Sequence, residues 1–323
     1  MRILRPSFAL LAMLAAAAPV VGARPHVPGA VIHITRRAVA PGEPVDSLRA
    51  RIVARLDSLR REVPGAFVGV AWRDLGTGER LDVDGDSVFH AASTMKVPVM
   101  IELMRQADRG ALSLDRGVLL ENRFASIVDG SPYALDPGED SDSGAYALVG
   151  SRVPVRELMR RMIVRSSNLA TNALIALADP QRVTATAAAL GATRTRVLRG
   201  VEDDKAYERG LNNVTTAGDL AALLSAIEQG RAASRGACDE MRRVLLAQEL
   251  DAGSIPAGVP AGTPVAHKSG QITAVLHDAG IVYPQGRAPY VLVVLTRGIP
   301  DEKVAARAVA DVSRLAYAHV ASP

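Results

Sequence analysis

The stretch from His90 to Gly110 reads HAASTMKVPVMIELMRQADRG. Small residues at its start lead into a run whose apolar side chains recur at helical spacing, at Val99, Ile101, Leu103 and Met104. We predict a helix that begins near Ser93 and tolerates Pro98 because the proline falls close to the helix start. Residues three apart share one face of a helix, so Lys96 is expected beside the Ser93 hydroxyl.

A serine hydroxyl becomes a good nucleophile only when a base takes its proton. Of the 38 basic residues in the chain, only four are lysine, namely Lys96, Lys205, Lys268 and Lys303. Arginine keeps its proton in proteins, whereas burial and neighbouring positive charge bring lysine to its neutral form. Lys96 is therefore a candidate base for Ser93. The pattern S-x-x-K alone also occurs by chance, so the interpretation requires further motifs.

The N-terminal segment, residues 1–23, has the features of a secretory signal. Arg2 and Arg5 form its positive end, Phe8–Ala18 its apolar stretch, and small residues up to Ala23 its cleavage site. The apolar stretch is too short to span a bilayer, and no other segment is long enough. Residues 24–43, rich in Pro, Gly and Arg, are predicted to be a linker. We expect export to the periplasm or the medium after cleavage near Ala23.

Apolar patterning in the rest of the chain predicts strands near both ends and helices between them. The predicted strands are Phe67–Asp74, Glu79–Val83, Pro264–Gln271, His277–Tyr283 and Pro289–Arg297. The other predicted helices are Asp46–Val63, Val155–Val164, Leu169–Ala178, Gln181–Leu190, a helix capped by Thr216 with Asp219 completing a capping box, Cys238–Leu250 and Asp301–Val320. Asp108–Gly150 is polar and irregular, with GEDSDSGAY its loosest part.

These elements predict an α/β protein of the α+β type, with an antiparallel sheet built from both termini, flanking helices and a mainly helical middle. We expect one catalytic domain over residues 44–321. Within it, residues 44–92 and 251–321 would form a sheet subdomain, and residues 93–250 a helical subdomain.

The composition and the spacing of particular residue types argue against several classes of function. Arginines are scattered and aromatics make up 3% of the chain, which argues against a nucleic-acid surface. The six histidines show no metal-ligand spacing, and His277 with Asp278 is interpreted as a brace of the sheet. Cys238, the single cysteine, is predicted to be a buried structural thiol. No phosphate-binding or dinucleotide glycine pattern occurs, so we expect no nucleotide cofactor, and we expect no metal. We also expect a monomer.

Three motifs stand in order along the chain: Ser93-Thr94-Met95-Lys96, Ser166-Ser167-Asn168 and Lys268-Ser269-Gly270. This set resembles the active-site serine penicillin-recognising family, most closely the class A β-lactamases, whose signatures are S-x-x-K, S-D-N and K-T-G. The likeness covers roughly residues 44–318. It implies an acyl-enzyme mechanism with a β-lactam or an acyl-D-Ala-D-Ala peptide as the small-molecule substrate.

Each motif residue has an expected role in acyl transfer. Ser93 attacks the carbonyl, Lys96 accepts its proton, and Ser166, positioned by Lys268, relays a proton to the leaving nitrogen. The oxyanion is expected between the backbone N–H groups of Ser93 and Gln271. The remaining expected roles are orientation of the substrate amide and of Lys96 by Asn168, and binding of the substrate carboxylate by Lys268 with Ser269. The alternatives are that Ser166 and Asn168 only cap a helix and that Lys268 is a solvated surface lysine.

Three departures from the class A pattern concern turnover and binding. The run glutamate-proline-glutamate-leucine-asparagine, which supplies the deacylating glutamate, is absent, and Glu202 is the nearest candidate; the alternative is a solvated loop acid. The second motif has Ser167 where aspartate is usual, and the strand arginine near Ala279-Gly280 is missing. Three readings stay open: a β-lactamase, a DD-peptidase-like hydrolase, or a penicillin-binding protein acylated without turnover. The last is disfavoured because no segment is long enough to cross a membrane.

Overall fold

The computed structural model describes residues 44–250 and 254–322, which belong to one compact unit, Ala40–Pro323. The predicted signal and linker therefore lie outside the described residues. The helices are α1 (Val45–Glu62), α2 (Lys96–Asp108), α3 (Val155–Val164), α4 (Asn168–Ala178), α5 (Pro180–Ala189), α6 (Asp204–Glu208), α7 (Ala217–Glu228), α8 (Arg235–Leu246) and α9 (Glu302–Ala321). The strands are β1 (Phe67–Asp74), β2 (Arg80–Val83), β3 (Phe89–His90), β4 (Gly117–Leu119), β5 (Phe124–Ala125), β6 (Pro132–Tyr133), β7 (Arg152–Pro154), β8 (Val214–Thr215), β9 (Val265–Ile272), β10 (Val275–Val282) and β11 (Tyr290–Arg297).

Strands from both ends of the described chain form one five-stranded antiparallel sheet in the order β2-β1-β11-β10-β9. The strand β1 pairs with β11 along its whole length, from Phe67 opposite Arg297 to Asp74 opposite Tyr290. The predicted sheet built from both termini is confirmed. Its edge strand, β9, carries the Lys268-Ser269-Gly270 motif.

Alternation along the strands gives the sheet two buried faces. In β11, Val291, Val293 and Leu295 pack into a core shared with the helical middle, whereas Tyr290, Leu292 and Val294 pack against α1 and α9. This follows from the two-residue period of a strand, which sends neighbouring side chains to opposite faces. Burial on both faces explains why β11 has a nearly continuous apolar sequence.

The helix α2, which follows the candidate nucleophile, lies inside the helical layer. From Val97 to Met104, every residue of α2 is buried. A helix buried on all sides must be apolar on all sides, as this one nearly is. Such packing gives its first turn a rigid position. Among the described helices, none is both long and apolar enough to cross a membrane.

Two predictions about local structure were wrong. The stretch GEDSDSGAY is not loose, because Asp140 and Asp142 are buried and a 3-10 turn spans Ser143–Leu148. Asp142 is held there by an ion pair of 2.9 Å with Arg161. The capping box is only half formed. Thr216 Oγ1 accepts from the backbone N–H of Asp219, but the Asp219 carboxylate accepts from the backbone N–H groups of residues 194 and 195 instead.

Candidate active site

Ser93 lies in a 3-10 turn, Ala92–Met95, directly before α2. The predicted helix therefore begins three residues after the serine, with Pro98 in its first turn, where the missing N–H costs little. Ala92, the residue before the nucleophile, has a φ of 44°. Left-handed backbone at a non-glycine residue is strained, and such strain concentrates at functional sites.

Lys96 is fully buried, and its Nζ is surrounded by acceptors from the break between α3 and α4. It donates to Ser166 O at 2.6 Å, to Ser166 Oγ at 3.0 Å and to Asn168 Oδ1 at 2.9 Å. Burial lowers the pKa of Lys96 well below its ordinary value, the nearby charge of Lys268 lowers it further, and two neighbouring carboxylates oppose the shift. The structure thus places a buried lysine with a lowered pKa one side chain away from the nucleophile.

Ser166 connects the lysine to the nucleophile. Its Oγ donates to Ser93 Oγ at 3.0 Å and accepts from Lys96 Nζ at the same distance. The hydrogen bonds of the described residues include none between Lys96 and Ser93, so the expected direct contact is replaced by one through Ser166. Hydroxyl hydrogens rotate, so the same contacts serve proton transfer in either direction. The helix cap itself is Ser167, whose Oγ accepts from the backbone N–H of Ala170.

Asn168 and Glu202 extend the network. The Asn168 amide donates to Glu202 Oε1 at 2.6 Å while its oxygen accepts from Lys96. Burial raises the pKa of Glu202, the Asn168 hydrogen bond lowers it, and the neighbouring acids Asp140 and Glu139 raise it again. Glu202 is partly buried and has a φ of 59°, so it is held in the site and is not a freely solvated loop acid.

The edge strand β9 forms the opposite wall. A Cβ at Gly270 would lie 2.9 Å from Ser93 N, so only glycine lets the strand approach the nucleophile so closely. Lys268 is fully buried, which excludes the surface-lysine alternative; burial lowers its pKa to about 7, against a smaller opposite effect of Asp278. Its Nζ donates to Ser269 O at 2.7 Å. In the described residues Lys96, and not Lys268, donates to Ser166.

The cleft above Ser93 has two adjoining lobes. One has a volume of about 600 Å³, and its lining includes Ser166, Ser269 and Gly270. The other, of about 350 Å³, is lined by Glu202 and by the exposed ring of Tyr207. Both are lined by Ser93, Asn168 and Gln271. The structure thus brings Ser93, Lys96, Ser166, Asn168 and Glu202 into one network, with Ser269 and Gln271 on the cleft wall and Lys268 buried behind it; their catalytic and binding roles stay predictions.

Sequence reasoning missed the loop residues that line the cleft. Glu139 and Ser141 belong to a segment without apolar period, so no pattern pointed to them. Glu249 and Leu250 were placed in the predicted helix Cys238–Leu250, which ends at Leu246 in the structure, so the prediction hid their position at the cleft. Asp140 was also missed, although its signal was present: the second motif lacks its usual aspartate, and an acid-rich stretch precedes it. The predicted brace of the sheet by His277 and Asp278 is found: His277 Nε2 contacts His90 O at 2.8 Å, and Asp278 Oδ2 accepts from the backbone N–H of Ile255 at 2.9 Å. Cys238 is buried, as predicted.

Ser93 is hydrogen-bonded to Ser166, which is hydrogen-bonded to the buried Lys96, and the three lie at a cleft between the sheet and the helical layer. This arrangement is typical of a class of acyl-transferring serine enzymes. The profile of the Beta-lactamase enzyme family matches residues 50–320. The chain therefore belongs to the beta-lactamase enzyme family.

Proteins similar to this chain include several that are named beta-lactamases. A beta-lactamase of Streptomyces fradiae is 28% identical over 291 residues, which cover 89% of this chain and 92% of the relative. The crystal structure of a beta-lactamase from Sphaerobacter thermophilus has a TM-score of 0.68 and 26% identity, with 87% of this chain and all of that chain covered. A structure of PBP-A has a TM-score of 0.71 and 26% identity, with 86% of this chain and 97% of that chain covered.

Proposed function

We propose that this protein hydrolyses β-lactams through an acyl-enzyme formed on Ser93. The observation that carries the proposal is the continuous network Ser93–Ser166–Lys96–Asn168–Glu202, which supplies a nucleophile, a buried base and a second carboxylate around one cleft. The family to which the chain belongs and the names of its relatives support the same activity.

In the acylation step, neutral Lys96 takes the Ser93 proton by way of Ser166, and Ser93 Oγ bonds to the lactam carbonyl carbon. When the carbon–nitrogen bond of the ring breaks, the same proton returns through Ser166 to the leaving nitrogen. The N–H of Ser93 and that of Gln271 are the proposed donors to the oxyanion. Lys268 and Ser269 are proposed to bind the substrate carboxylate, Lys268 by its charge from behind the cleft wall.

Deacylation needs a base for water, and we assign that role to Glu202. Its carboxylate is fixed by Asn168 at 2.6 Å and lines the smaller lobe beside Ser93. A water held there would give its proton to Glu202 while its oxygen attacks the ester carbonyl. As the ester bond breaks, Ser93 Oγ leaves and takes up a proton and Glu202 returns to its ionised form, which frees Ser93 and the opened ring. Because burial raises the pKa of Glu202, the carboxylate is a stronger base than a solvated glutamate.

The second candidate is a DD-peptidase-like hydrolase, or a penicillin-binding protein that is acylated without turnover. It is favoured by the similarity to PBP-A, a variant of which was solved as an acyl-enzyme complex with penicillin G. The absence of the class A glutamate-proline-glutamate-leucine-asparagine run points the same way. The position of Glu202 in the cleft favours hydrolysis of the acyl-enzyme, so we prefer the hypothesis of a β-lactamase.

Hydrolysis of a chromogenic cephalosporin, followed in parallel by intact mass, separates these functions. We expect many turnovers per enzyme and only transient adduct for the wild type, and no turnover for Ser93→Ala. A persistent adduct without turnover would identify a penicillin-binding protein. Release of D-alanine from an acyl-D-Ala-D-Ala peptide, with slow cephalosporin turnover, would identify a DD-peptidase.

We also propose that the chain is exported and acts as a monomer in the periplasm or medium. The support is the charge and apolar pattern of residues 1–23. Expression of the full chain in a bacterial host, followed by mass measurement of the extracytoplasmic protein, should show a new N-terminus after Ala23. Retention of residue 1 in that fraction would reject the signal, and light scattering would test the monomer.

A further inference from the structure

A carboxylate from a distant loop caps the helix that carries Asn168. Asp140 Oδ2 accepts from the backbone N–H groups of Asn168 at 3.0 Å and Leu169 at 2.9 Å, and from the Tyr146 hydroxyl at 3.2 Å. Its Oδ1 accepts from the backbone N–H of Asp142 at 3.0 Å. The side chain is buried, with 6% exposed, although it lies in a polar loop 28 residues before Asn168.

This contact supplies a carboxylate next to a sequence motif that has none. The middle position of Ser166-Ser167-Asn168 carries no acid, and Ser167 Oγ caps only the N–H of Ala170. The first two N–H groups of α4 would then be left without a partner in a buried place, which is costly. Asp140 satisfies both and places a negative charge at the positive end of the helix dipole.

We propose that Asp140 is a positioning residue of the acyl-transfer site, which supplies from a separate loop the capping carboxylate of the helix that begins at Asn168. This inference rests on the proposed function. By fixing the first turn of α4, Asp140 holds the Asn168 amide between Lys96 and Glu202. A shift of about 1 Å in such a group is enough to slow catalysis strongly.

Asp140 also acts through its charge on both bases. Burial lowers the pKa of Lys96 most, the charge of Lys268 lowers it further, and the charges of Asp140 and Glu202 raise it. Burial raises the pKa of Glu202 most, and the charges of Asp140 and Glu139 raise it further, whereas the Asn168 hydrogen bond and the charge of Lys96 lower it. A negative charge at residue 140 stabilises the protonated form of each base. Its removal should therefore let both bases lose their protons at lower pH.

Two variants separate position from charge. Asp140→Ala removes the acceptors and the charge. Asp140→Asn leaves one carbonyl oxygen for the two N–H groups of α4, and it removes the charge and the acceptor for the N–H of Asp142. The matched control is Asp136→Asn, an exposed acid of the same loop; among residues 44–250 and 254–322 its carboxylate accepts only from the backbone N–H of Gly138. The readouts are single-turnover acylation and deacylation rates across pH, melting temperature, and amide hydrogen exchange of residues 166–170.

We expect Asp140→Ala to lower the plateau rates of acylation and deacylation at least about tenfold and to speed amide exchange at Asn168 and Leu169. Asp140→Asn should keep plateau rates within about threefold of wild type and move the acid limb of both steps to lower pH. Asp136→Asn should change neither.

Wild-type plateau rates and acid limbs in both Asp140 variants would overturn the proposal, whether or not melting temperature falls, because a merely structural residue would behave so. Unchanged amide exchange in Asp140→Ala would overturn it as well. A wild-type enzyme that no β-lactam acylates would instead refute the proposed function, and amide exchange would then still decide whether Asp140 holds the turn.

Discussion

At the scale of single residues, the site is marked by strain and by buried charge. Three of the six non-glycine residues with positive φ in residues 44–250 and 254–322 are Ala92, Ser166 and Glu202, all of them at the cleft. Such backbone costs about 1–3 kcal/mol per residue and persists only where the surroundings enforce it. Burial lowers the pKa of both buried lysines, Lys96 and Lys268, below its ordinary value.

The first prediction concerns the identity of the base. Lys96→Arg replaces a group that can lose its proton by one that cannot, so acylation should slow by about a thousandfold or more. The matched control is Lys205→Arg at an exposed lysine paired with Asp129, which should acylate at the wild-type rate. Single-turnover acylation with a chromogenic cephalosporin measures both. Acylation by the Lys96→Arg variant at a rate close to that of wild type would remove Lys96 as the base.

The second prediction concerns the pH dependence of deacylation. Glu202 must be ionised to accept a proton from water, and its pKa is raised above the ordinary value of 4.5. Deacylation should therefore fall with decreasing pH through a midpoint above 4.5, and Glu202→Gln should slow it by about a hundredfold or more while acylation continues. Pre-steady-state measurement of acyl-enzyme decay across pH tests both. A deacylation rate in Glu202→Gln equal to that of wild type would remove Glu202 from the mechanism.

At the scale of elements, the long patterned segments were predicted well and the loops were not. The predicted bounds of β1 and α3 agree with the structure to the residue. The spacing of the apolar residues in these two segments indicates which side chains are buried, and it therefore indicates where each element begins and ends. The 3-10 turn at Ser93 was not foreseen, since a helix start and a 3-10 turn share the same sequence signals. The capping role of Asp140 was missed because its partners are 28 and 29 residues away.

The third prediction tests the close approach of β9 to the nucleophile turn. Gly270→Ala would place its Cβ 2.9 Å from Ser93 N and 3.1 Å from Thr94 N, both backbone atoms, so the strand must move away from Ser93. We expect acylation to slow by about a hundredfold. Gly236→Ala, at a site on α8 with no atom within 4 Å of the new Cβ, should acylate normally. Acylation of Gly270→Ala at the wild-type rate would show that the approach is unimportant.

At the scale of the whole molecule, the fold could be predicted because composition and order of elements allowed few arrangements. Strands at both ends had to pair with one another, and the helices between them had to cover one face of the sheet. The cleft could not be drawn from sequence, because its shape depends on where separate loops meet. The division into a sheet subdomain and a helical subdomain stays a prediction.

The fourth prediction concerns stability and pH. Burial lowers the pKa of Lys268 from 10.5 to about 7, so between these values the unfolded chain binds more protons than the folded one. The free energy of unfolding should therefore rise with pH across this window, by on the order of a few kcal/mol. Lys268→Met should reduce that rise to the part that Lys96 contributes through its own lowered pKa, and the matched control Lys303→Met, at an exposed residue, should keep the full rise. Urea unfolding at several pH values measures it, and an equal rise in Lys268→Met would contradict the buried charge.

The central claim is that Ser93 is the nucleophile of an acyl-enzyme. The most direct measurement treats Glu202→Gln with benzylpenicillin and locates the adduct by peptide mass spectrometry, since slow deacylation should let the intermediate accumulate. We predict one equivalent of drug on the peptide that contains Ser93, and no adduct when Ser93→Ala is added. An adduct on another residue, or an adduct that survives Ser93→Ala, would contradict the claim.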